Sequence, residues 1–310
     1  MRMKVRLPYI LLLLATCIWG GNFVAGKGLV AHMPPITLAA FRWGIAFVIL
    51  APFVGKEAWR HRRELLVSWK MVLFLALTGV AGFNSLTYVA VQYTGSINAS
   101  LMNSATPIFI VLITWFVMKD QFAWGALPGI LISMLGVGWM ITQGRLMDLV
   151  HLRINRGDLY MLAAVLCWAL YSVGMKKMSG RFPASAFLLV QIAIAMLVLI
   201  PLSIVELQVR DAVIGWSWPL AAGLVYVGVF ASLVAFMSWN RAIELIGPQR
   251  CAGFLNFIPL FSALFAISFT GESLHVYHFV GAALIVAGVY VTNVAMRRRQ
   301  TNAAGKLGLR

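Results

Sequence analysis

Twelve polar or aromatic side chains lie within long apolar stretches of the sequence, where they are the groups able to contact a solute. They are indoles, amides, phenols and one guanidinium, at Trp19, Asn22, Arg42, Asn84, Tyr88, Asn103, Trp168, Tyr171, Gln191, Trp239, Asn240 and Asn256. Polar and ionisable residues within long apolar segments often mark a functional site. A cavity that combines amide, phenol and indole groups suits an amphipathic organic molecule better than a bare inorganic ion.

Arg42 is the most unusual of these residues, because a charged side chain within an apolar stretch is costly. It lies about seven residues into the second stretch, on the order of 10 Å from that helix's end at 1.5 Å per residue. One reading is that it binds a carboxylate or phosphate of the solute. The other is structural: the head group reaches the interface or bonds helix-end carbonyls.

Asn22 follows Trp19 by three residues and comes directly after the Gly20 and Gly21 pair. Its amide either contacts the solute beside the indole or forms an interhelical bond where glycines allow close approach. Both roles stay open at the level of sequence.

Further along the chain, Asn84 and Tyr88 are four residues apart and share a helical face. Asn103 precedes Pro107, which frees a carbonyl near it and either breaks the helix or is a packed kink.

Catalytic and metal chemistry is not indicated. None of the nine acidic residues falls clearly at the midpoint of an apolar stretch, so no deep carboxylate relay is visible. Cys17, Cys167 and Cys251 are odd in number and lie within apolar stretches, which fits packing. His275 and His278 are interpreted as interfacial residues rather than ligands. We therefore expect no enzyme activity, metal or cofactor.

The composition is that of a membrane protein. Of 310 residues, 61% are hydrophobic and 11% charged, and the mean hydropathy is +0.88. Soluble domains have roughly 25% charged residues. The net charge of +16 comes from basic residues between apolar stretches, where they read as orientation signals rather than as a nucleic-acid surface. The expected partners are the lipid bilayer and a small-molecule substrate, not nucleic acid.

Ten stretches are long enough to cross a bilayer, since about 20 apolar residues are needed. They cover 7–29, 35–55, 69–91, 97–118, 122–142, 157–177, 185–206, 217–240, 249–270 and 275–296. With a cytoplasmic N-terminus, 19 lysines and arginines fall on the inner side and 5 on the outer side. This bias predicts a multi-pass protein of the inner or plasma membrane with both termini cytoplasmic, an uncleaved first span and a basic cytoplasmic tail at 297–310.

The sequence contains two related halves. An offset of 149 pairs Trp19 with Trp168, and an offset of 152 pairs Pro107 with Pro259 in one register across three helices. The polar positions correspond without identity: Gln191 matches Arg42, Tyr171 matches Asn22 and Asn240 matches Tyr88. Five spans per half is an odd number, so the second half must enter the membrane from the opposite side. The predicted fold is an all-α membrane protein of ten transmembrane helices in two inverted-topology five-helix repeats, 7–142 and 157–296.

Four segments carry a resemblance to a known family: "IWGGNFVAGK", "PPITLAAFRW", "TYVAVQYTGSINASLMNSATPIF" and "NRAIELIGPQRCAGFLNFIPLF". Over roughly residues 9–296 the chain resembles the EamA family of the drug/metabolite transporter superfamily. The resemblance implies transport without ATP of compounds such as amino acids, amines or drugs, with export favoured. It also implies a central cavity between helices 1 to 4 and 6 to 9, with helices 5 and 10 packed behind it.

Two features of that expectation stay open. Helices 5 and 10 carry glycines seven residues apart, Gly129 with Gly136 and Gly281 with Gly288, which form either a helix contact or the surface of a homodimer. The alternative function is a channel-like facilitator or importer of a small organic solute, although rings of charge typical of ion channels are not evident. A membrane enzyme is the other rival, and the spans lack a catalytic cluster for it.

Overall fold

A computed structural model describes residues 2–93, 99, 102–118, 124–145, 147, 155–212, 214–270 and 275–306. Every regular element within these ranges is helical. The longer helices are α1 (Arg2–Leu29), α2 (Pro35–Arg60), α3 (Trp69–Tyr93), α4 (Met102–Met118), α5 (Leu127–Ile141), α6 (Arg156–Met178), α7 (Ala184–Arg210), α8 (Trp218–Ile246), α9 (Phe257–Thr270) and α10 (Val276–Lys306). Two short helices, Arg62–Val67 and Pro248–Ala252, precede α3 and α9.

Local sequence explains where several helices begin. Pro35 stands at the first position of α2, where a missing N–H costs nothing. α6 begins with a capping box: Asn155 Oδ1 accepts from Asp158 N at 3.2 Å, and the Asp158 carboxylate accepts from Asn155 N at 2.8 Å.

In the part of the chain that the structure describes, seven helices are long and apolar enough to cross a membrane: α1, α2, α3, α6, α7, α8 and the first 21 residues of α10. α4 and α5 are shorter apolar helices, and α9 has 14 residues. Parts of the predicted spans 97–118 and 122–142 fall outside the described residues. The predicted span 249–270 is interrupted by a 3₁₀ turn at Gly253–Asn256. The count of ten spans therefore stays a prediction.

The predicted tail is not set off from the last helix. α10 continues without a break past residue 296 to Lys306, and residues 307–310 lie outside the described part of the chain. The predicted boundary at 296 marks a change from apolar to basic residues rather than the end of a helix.

α3 and α8 each contain a π-helical stretch, at Ala76–Gly82 and Tyr226–Val234. Residue 76 moved by the sequence offset of 152 becomes 228, which lies within the second stretch. π-helical turns are rare and shift the backbone hydrogen bonds from i−4 to i−5. Two such stretches in the same register are independent structural support for the duplication read from the sequence.

Corresponding helices of the two halves run antiparallel to each other. α5 packs on α10 with Gly129 beside Gly288 and Gly136 beside Gly281. A Cβ at Gly288 would lie 2.5 Å from the Gly129 oxygen, so only glycine allows this approach. The glycine stripes meet within one molecule, so a homodimer, which stays a prediction, would need another surface.

The second antiparallel pair is α2 with α7. Gly44 lies near Met196 at mid-helix, and Thr37 near the start of α2 bonds Glu206 near the end of α7. Antiparallel contact between equivalent helices is the arrangement that inverted copies require.

Candidate functional site

Arg42 is buried, with 1% of its surface exposed. Nε donates to Ser232 Oγ at 2.5 Å and Nη2 donates to the Ala231 carbonyl at 3.0 Å. Nη1 donates to Tyr88 Oη at 3.0 Å and, more weakly, to Asn22 Oδ1 at 3.4 Å. The guanidinium therefore faces the bundle interior and joins α2 to α1, α3 and α8. The alternative in which it reaches the membrane interface is wrong.

The π-helical stretch of α8 supplies the acceptors for Arg42. Ser232 Oγ donates back to the Val227 carbonyl, five residues earlier, at 2.8 Å and accepts from Arg42. The Ala231 carbonyl accepts both Arg42 Nη2 and, at 3.1 Å, Trp19 Nε1. Such altered backbone bonding is frequent at functional sites.

In each half an amide side chain contacts a phenol side chain at equivalent positions. The position that holds the amide in one half holds the phenol in the other. Tyr88 Oη lies 3.4 Å from Asn22 Oδ1 in the first half. In the second half, Asn240 Nδ2 donates to Tyr171 Oη at 2.8 Å. Tyr171 occupies the place of Asn22, and Asn240 the place of Tyr88. The two halves thus preserve the same polar contact between their first and third helices.

The equivalence fails at the arginine. Gln191, the counterpart of Arg42, is fully buried and contacts Met175 Sδ through Nε2 at 3.6 Å, while its Oε1 has no partner in the described structure. Only the first half therefore carries a charge at this level.

The indoles of the two halves touch each other directly. Trp19 and Trp168 meet edge to face with centroids 5.1 Å apart, and Trp239 lies 5.6 Å from Trp19. Perpendicular arrangements at such distances are favourable for aromatic pairs. Trp168 Nε1 is buried and has no hydrogen-bond partner in the described structure. No solute-sized gap separates the indoles in this conformation.

The glycine pair on α1 makes two close helix contacts. A Cβ at Gly20 would lie 2.5 Å from Phe261 Cβ on α9, and one at Gly21 would lie 2.3 Å from Tyr226 Oη on α8. Tyr226 donates to the Ile18 carbonyl at 2.8 Å. The glycines serve close packing, and the polar contacts of Asn22 are directed to Arg42 and Tyr88 instead.

A cavity of about 30 Å³ lies beside Arg42. Its lining consists of Trp19, Asn22, Phe23, Arg42, Phe83, Asn84, Thr87, Tyr88, Asn103, Trp168, Leu255 and Ile258. A volume of this size holds about one water molecule. An organic solute could enter only if the surrounding helices move apart.

Seven of the twelve candidate residues line this cavity: Trp19, Asn22, Arg42, Asn84, Tyr88, Asn103 and Trp168. Within this set, Asn84 Nδ2 also donates to the Val80 carbonyl of its own helix at 3.1 Å. The Asn103 carbonyl, freed by Pro107, accepts Thr106 Oγ1 at 2.5 Å.

The other five candidates are absent from the lining: Tyr171, Gln191, Trp239, Asn240 and Asn256. Trp239 donates from Nε1 to Ser172 Oγ at 3.3 Å. Asn256 donates from Nδ2 to Ser133 Oγ at 2.6 Å and ties the 3₁₀ turn to α5. In this conformation the contacts of these five residues are interhelical.

Sequence reasoning missed Phe23, Phe83, Thr87, Leu255 and Ile258 in the lining, and Ser232 beside Arg42. The four apolar residues look like any lipid-facing or core residue in the sequence. Thr87 lies between Asn84 and Tyr88, so it was the one with a positional signal.

One protein-family model matches the chain twice, once in each half. A model of the EamA-like transporter family matches residues 6–142 and 155–294. The chain is 26% identical over 293 residues to "Uncharacterized transporter YyaM" of Bacillus subtilis, covering 93% of this chain and 94% of that protein. It is 24% identical to the "Probable amino-acid metabolite efflux pump" of Salmonella typhimurium, covering 94% of this chain and 96% of that protein.

A solved crystal structure has the same fold, with a TM-score of 0.72 at 18% identity, and the match covers 94% of this chain and 98% of that one. The family and these named relatives are transporters rather than enzymes, and the apolar helices are those of a multi-pass membrane protein. Because the family model matches both halves, the predicted membership is confirmed: the chain belongs to the EamA-like transporter family, with the domain present twice.

Proposed function

We propose that this protein is a secondary transporter that exports small amphipathic metabolites, such as amino acids, amines or drug-like compounds, by alternating access without ATP. The observation that carries the proposal is the small cavity beside Arg42, which residues of both halves line with polar and aromatic side chains. A buried cluster that both repeats enclose is where inverted-repeat transporters bind substrate.

The proposed architecture is ten transmembrane helices in two inverted repeats. Support comes from the antiparallel contacts of α2 with α7 and of α5 with α10, and from the matching π-helical stretches. Under this architecture the molecule lies in the inner or plasma membrane with both termini cytoplasmic, as the distribution of basic residues predicts. The repeats are 7–142 and 157–296, followed by the basic tail.

The proposed substrate contacts are the candidate residues that line the cavity. Trp19 and Trp168 offer aromatic faces for an apolar part of the substrate. Arg42, Tyr88 and Asn103 offer hydrogen-bonding groups for its polar part. The contact between the two indoles has to open for a solute to enter. The five candidates outside the lining would contact substrate only if the opening exposed them.

Export is supported by the name of the Salmonella relative, a probable efflux pump, and by the family resemblance. The alternative of a channel-like facilitator predicts a continuous path, and the cavity of about 30 Å³ offers none in this conformation. The alternative of an importer differs from export in direction, which the cavity does not address.

Counterflow in proteoliposomes tests the proposal. A thermal-shift screen of the purified protein against amino acids, amines and organic acids first identifies a ligand, since binding to the folded state stabilises it. Vesicles loaded with that unlabelled compound are then diluted into a trace of the labelled compound without ATP. An alternating-access carrier gives transient accumulation of label above equilibrium. Simple equilibration in the same vesicles would indicate a channel-like facilitator, and no flux beyond protein-free liposomes would reject transport of that compound.

Side chains that line the cavity provide the internal control for this assay. Trp168→Ala removes the indole that closes the cavity and should abolish counterflow. Trp124→Ala, at an exposed indole before α5, should leave counterflow unchanged.

A further inference from the structure

We propose that Arg42 makes the central cavity an anion site, selective for compounds that join a carboxylate to an aromatic or bulky apolar group. This inference rests on the proposed transport function and narrows its substrate class. It separates organic anions from the amines and cationic drugs that the same cavity would otherwise admit.

The first observation is that, among the described residues, Arg42 hydrogen-bonds only to neutral groups. Its acceptors are a serine hydroxyl, a tyrosine hydroxyl, an asparagine amide and a backbone carbonyl, at distances of 2.5 to 3.4 Å. Neutral acceptors satisfy the donors of a guanidinium and leave its charge uncompensated. A buried charge without an opposite charge is strongly disfavoured in a low-dielectric interior.

The second observation concerns the acids. Of the acidic side chains in the described ranges, two are buried, Asp158 and Glu206. Asp158 forms the capping box of α6, and Glu206 accepts from the backbone of Ile36 and Thr37 at the start of α2. Neither lines the cavity. The cavity therefore carries one positive charge and, among the described residues, no negative one.

The third observation is the supply of donors at the cavity wall. Arg42 Nη1 donates to Tyr88 at 3.0 Å and makes the longest guanidinium contact, 3.4 Å, with Asn22, and both partners line the cavity. Trp168 lines it too, and its buried Nε1 has no hydrogen-bond partner in the described part of the chain. A carboxylate entering here would gain an ion pair with a guanidinium, whose planar donors match its two oxygens. The Tyr88 hydroxyl and the Trp168 N–H are further donors for it.

The other residues of the cavity lining determine which apolar group the ligand can carry beside its carboxylate. Trp19, Phe23, Phe83, Leu255 and Ile258 form apolar walls around the polar end. Such walls favour an aromatic ring or a branched aliphatic group. A ligand ammonium would meet only neutral acceptors and the repulsion of Arg42. Amines should therefore bind poorly, and zwitterionic amino acids less tightly than the corresponding deaminated acids.

Three compounds with one ring and different charges test the inference on the purified wild-type protein. They are 3-phenylpropionate, phenylalanine and phenethylamine, which are an anion, a zwitterion and a cation near neutral pH. We expect thermal stabilisation in that order, with none from the amine. Stabilisation by the amine equal to or above that by the anion overturns the inference. So does the absence of a shift with 3-phenylpropionate, benzoate and hexanoate alike.

Variants at Arg42 test whether the guanidinium is responsible. Arg42→Gln installs the residue type found at the equivalent Gln191 and should weaken binding of 3-phenylpropionate roughly tenfold or more, the scale of a lost charge-assisted bond. Arg42→Lys keeps the positive charge but not the paired donors of the guanidinium, so its binding of 3-phenylpropionate should weaken less than in Arg42→Gln. Arg63→Gln removes an exposed arginine and should bind like wild type. Unchanged anion binding in Arg42→Gln would leave Arg42 a structural link between helices and overturn the inference.

Two further measurements keep the outcomes distinct. If Arg42→Gln fails to fold, the comparison of Arg42→Lys with wild type and the order of the three ligands still decide the matter. Counterflow of the compound that binds then separates the two proposals. An amine that is bound and exchanged rejects the anion site and keeps the transporter. An anion that is bound and never exchanged keeps the site and rejects the transporter.

Discussion

At the scale of single residues, the two amide–phenol pairs have different roles: one contributes to packing and the other borders the cavity. The Tyr171 and Asn240 pair is short, at 2.8 Å, and fully enclosed, with Tyr171 0% and Asn240 4% exposed. The equivalent Tyr88 and Asn22 pair is longer, at 3.4 Å, and borders the cavity. The same chemistry is thus used for packing in one half and exposed to the cavity in the other.

Tyr171→Phe and Tyr88→Phe should therefore fail in different ways. Tyr171→Phe leaves the buried Asn240 amide without its partner, which costs about 1 to 3 kcal/mol. We expect a clear loss of thermal stability in this variant. Tyr88→Phe removes an acceptor of Arg42 Nη1 and should reduce counterflow. Its loss of stability should be smaller, because the adjoining cavity has room for a water molecule that can replace the hydroxyl. Equal losses of stability and equal residual transport in the two variants would contradict this division.

At the scale of helices, the glycine contact between α5 and α10 gives a sharp test of packing. A Cβ at Gly288 would lie 2.4 Å from the Ser133 backbone nitrogen, and neither helix backbone can move aside cheaply. Gly288→Ala should therefore lower the melting temperature. Gly55→Ala is the matched control within α2, where an added Cβ meets nothing within 4 Å. It should be neutral or slightly stabilising, because alanine favours helix more than glycine does. A similar effect of both substitutions would argue against the close contact.

Features of the helices that depend on residue type could be predicted from the sequence. Features that depend on backbone hydrogen bonding could not. Glycines seven residues apart indicated a close helix contact for α5 and α10, and Arg42 within an apolar stretch indicated a costly buried charge. The π-helical stretches left no comparable signal, because no residue type is required for an i−5 bond. Ser232 was therefore missed as the acceptor for Arg42. The direct contact of Trp19 with Trp168 was also missed, since pairing positions across a pseudo-symmetry does not say whether the space between them is closed.

At the scale of the whole molecule, the two ends of the α2 and α7 pair differ. The Glu206 carboxylate accepts from Thr37 N at 2.8 Å and from Thr37 Oγ1 at 2.9 Å, joining the two halves where α2 begins. An acid at a helix N-terminus is stabilised by the exposed N–H groups and the helix dipole. The sequence offset of 149 places Glu57 as the counterpart of Glu206. Among the described residues, the Glu57 carboxylate forms no such bond to the start of α7, which it would cap by symmetry.

This difference predicts opposite effects of two matched substitutions, given alternating access. Glu206→Gln weakens the contact that closes the end where α2 begins, so this end should open more often. Glu57→Gln leaves that contact intact and removes an acid that could cap α7 only in the alternative state, so opening at the same end should not increase. The measurement is labelling of Thr87→Cys, a cavity-lining position, by an impermeant maleimide after removal of Cys17, Cys167 and Cys251. Reagent applied from the predicted outer side, where α2 begins, should react faster in Glu206→Gln than in the unsubstituted background, and no faster in Glu57→Gln. Equal acceleration in both variants would mean that the two carboxylates only stabilise the fold, because a general loosening does not distinguish the two ends.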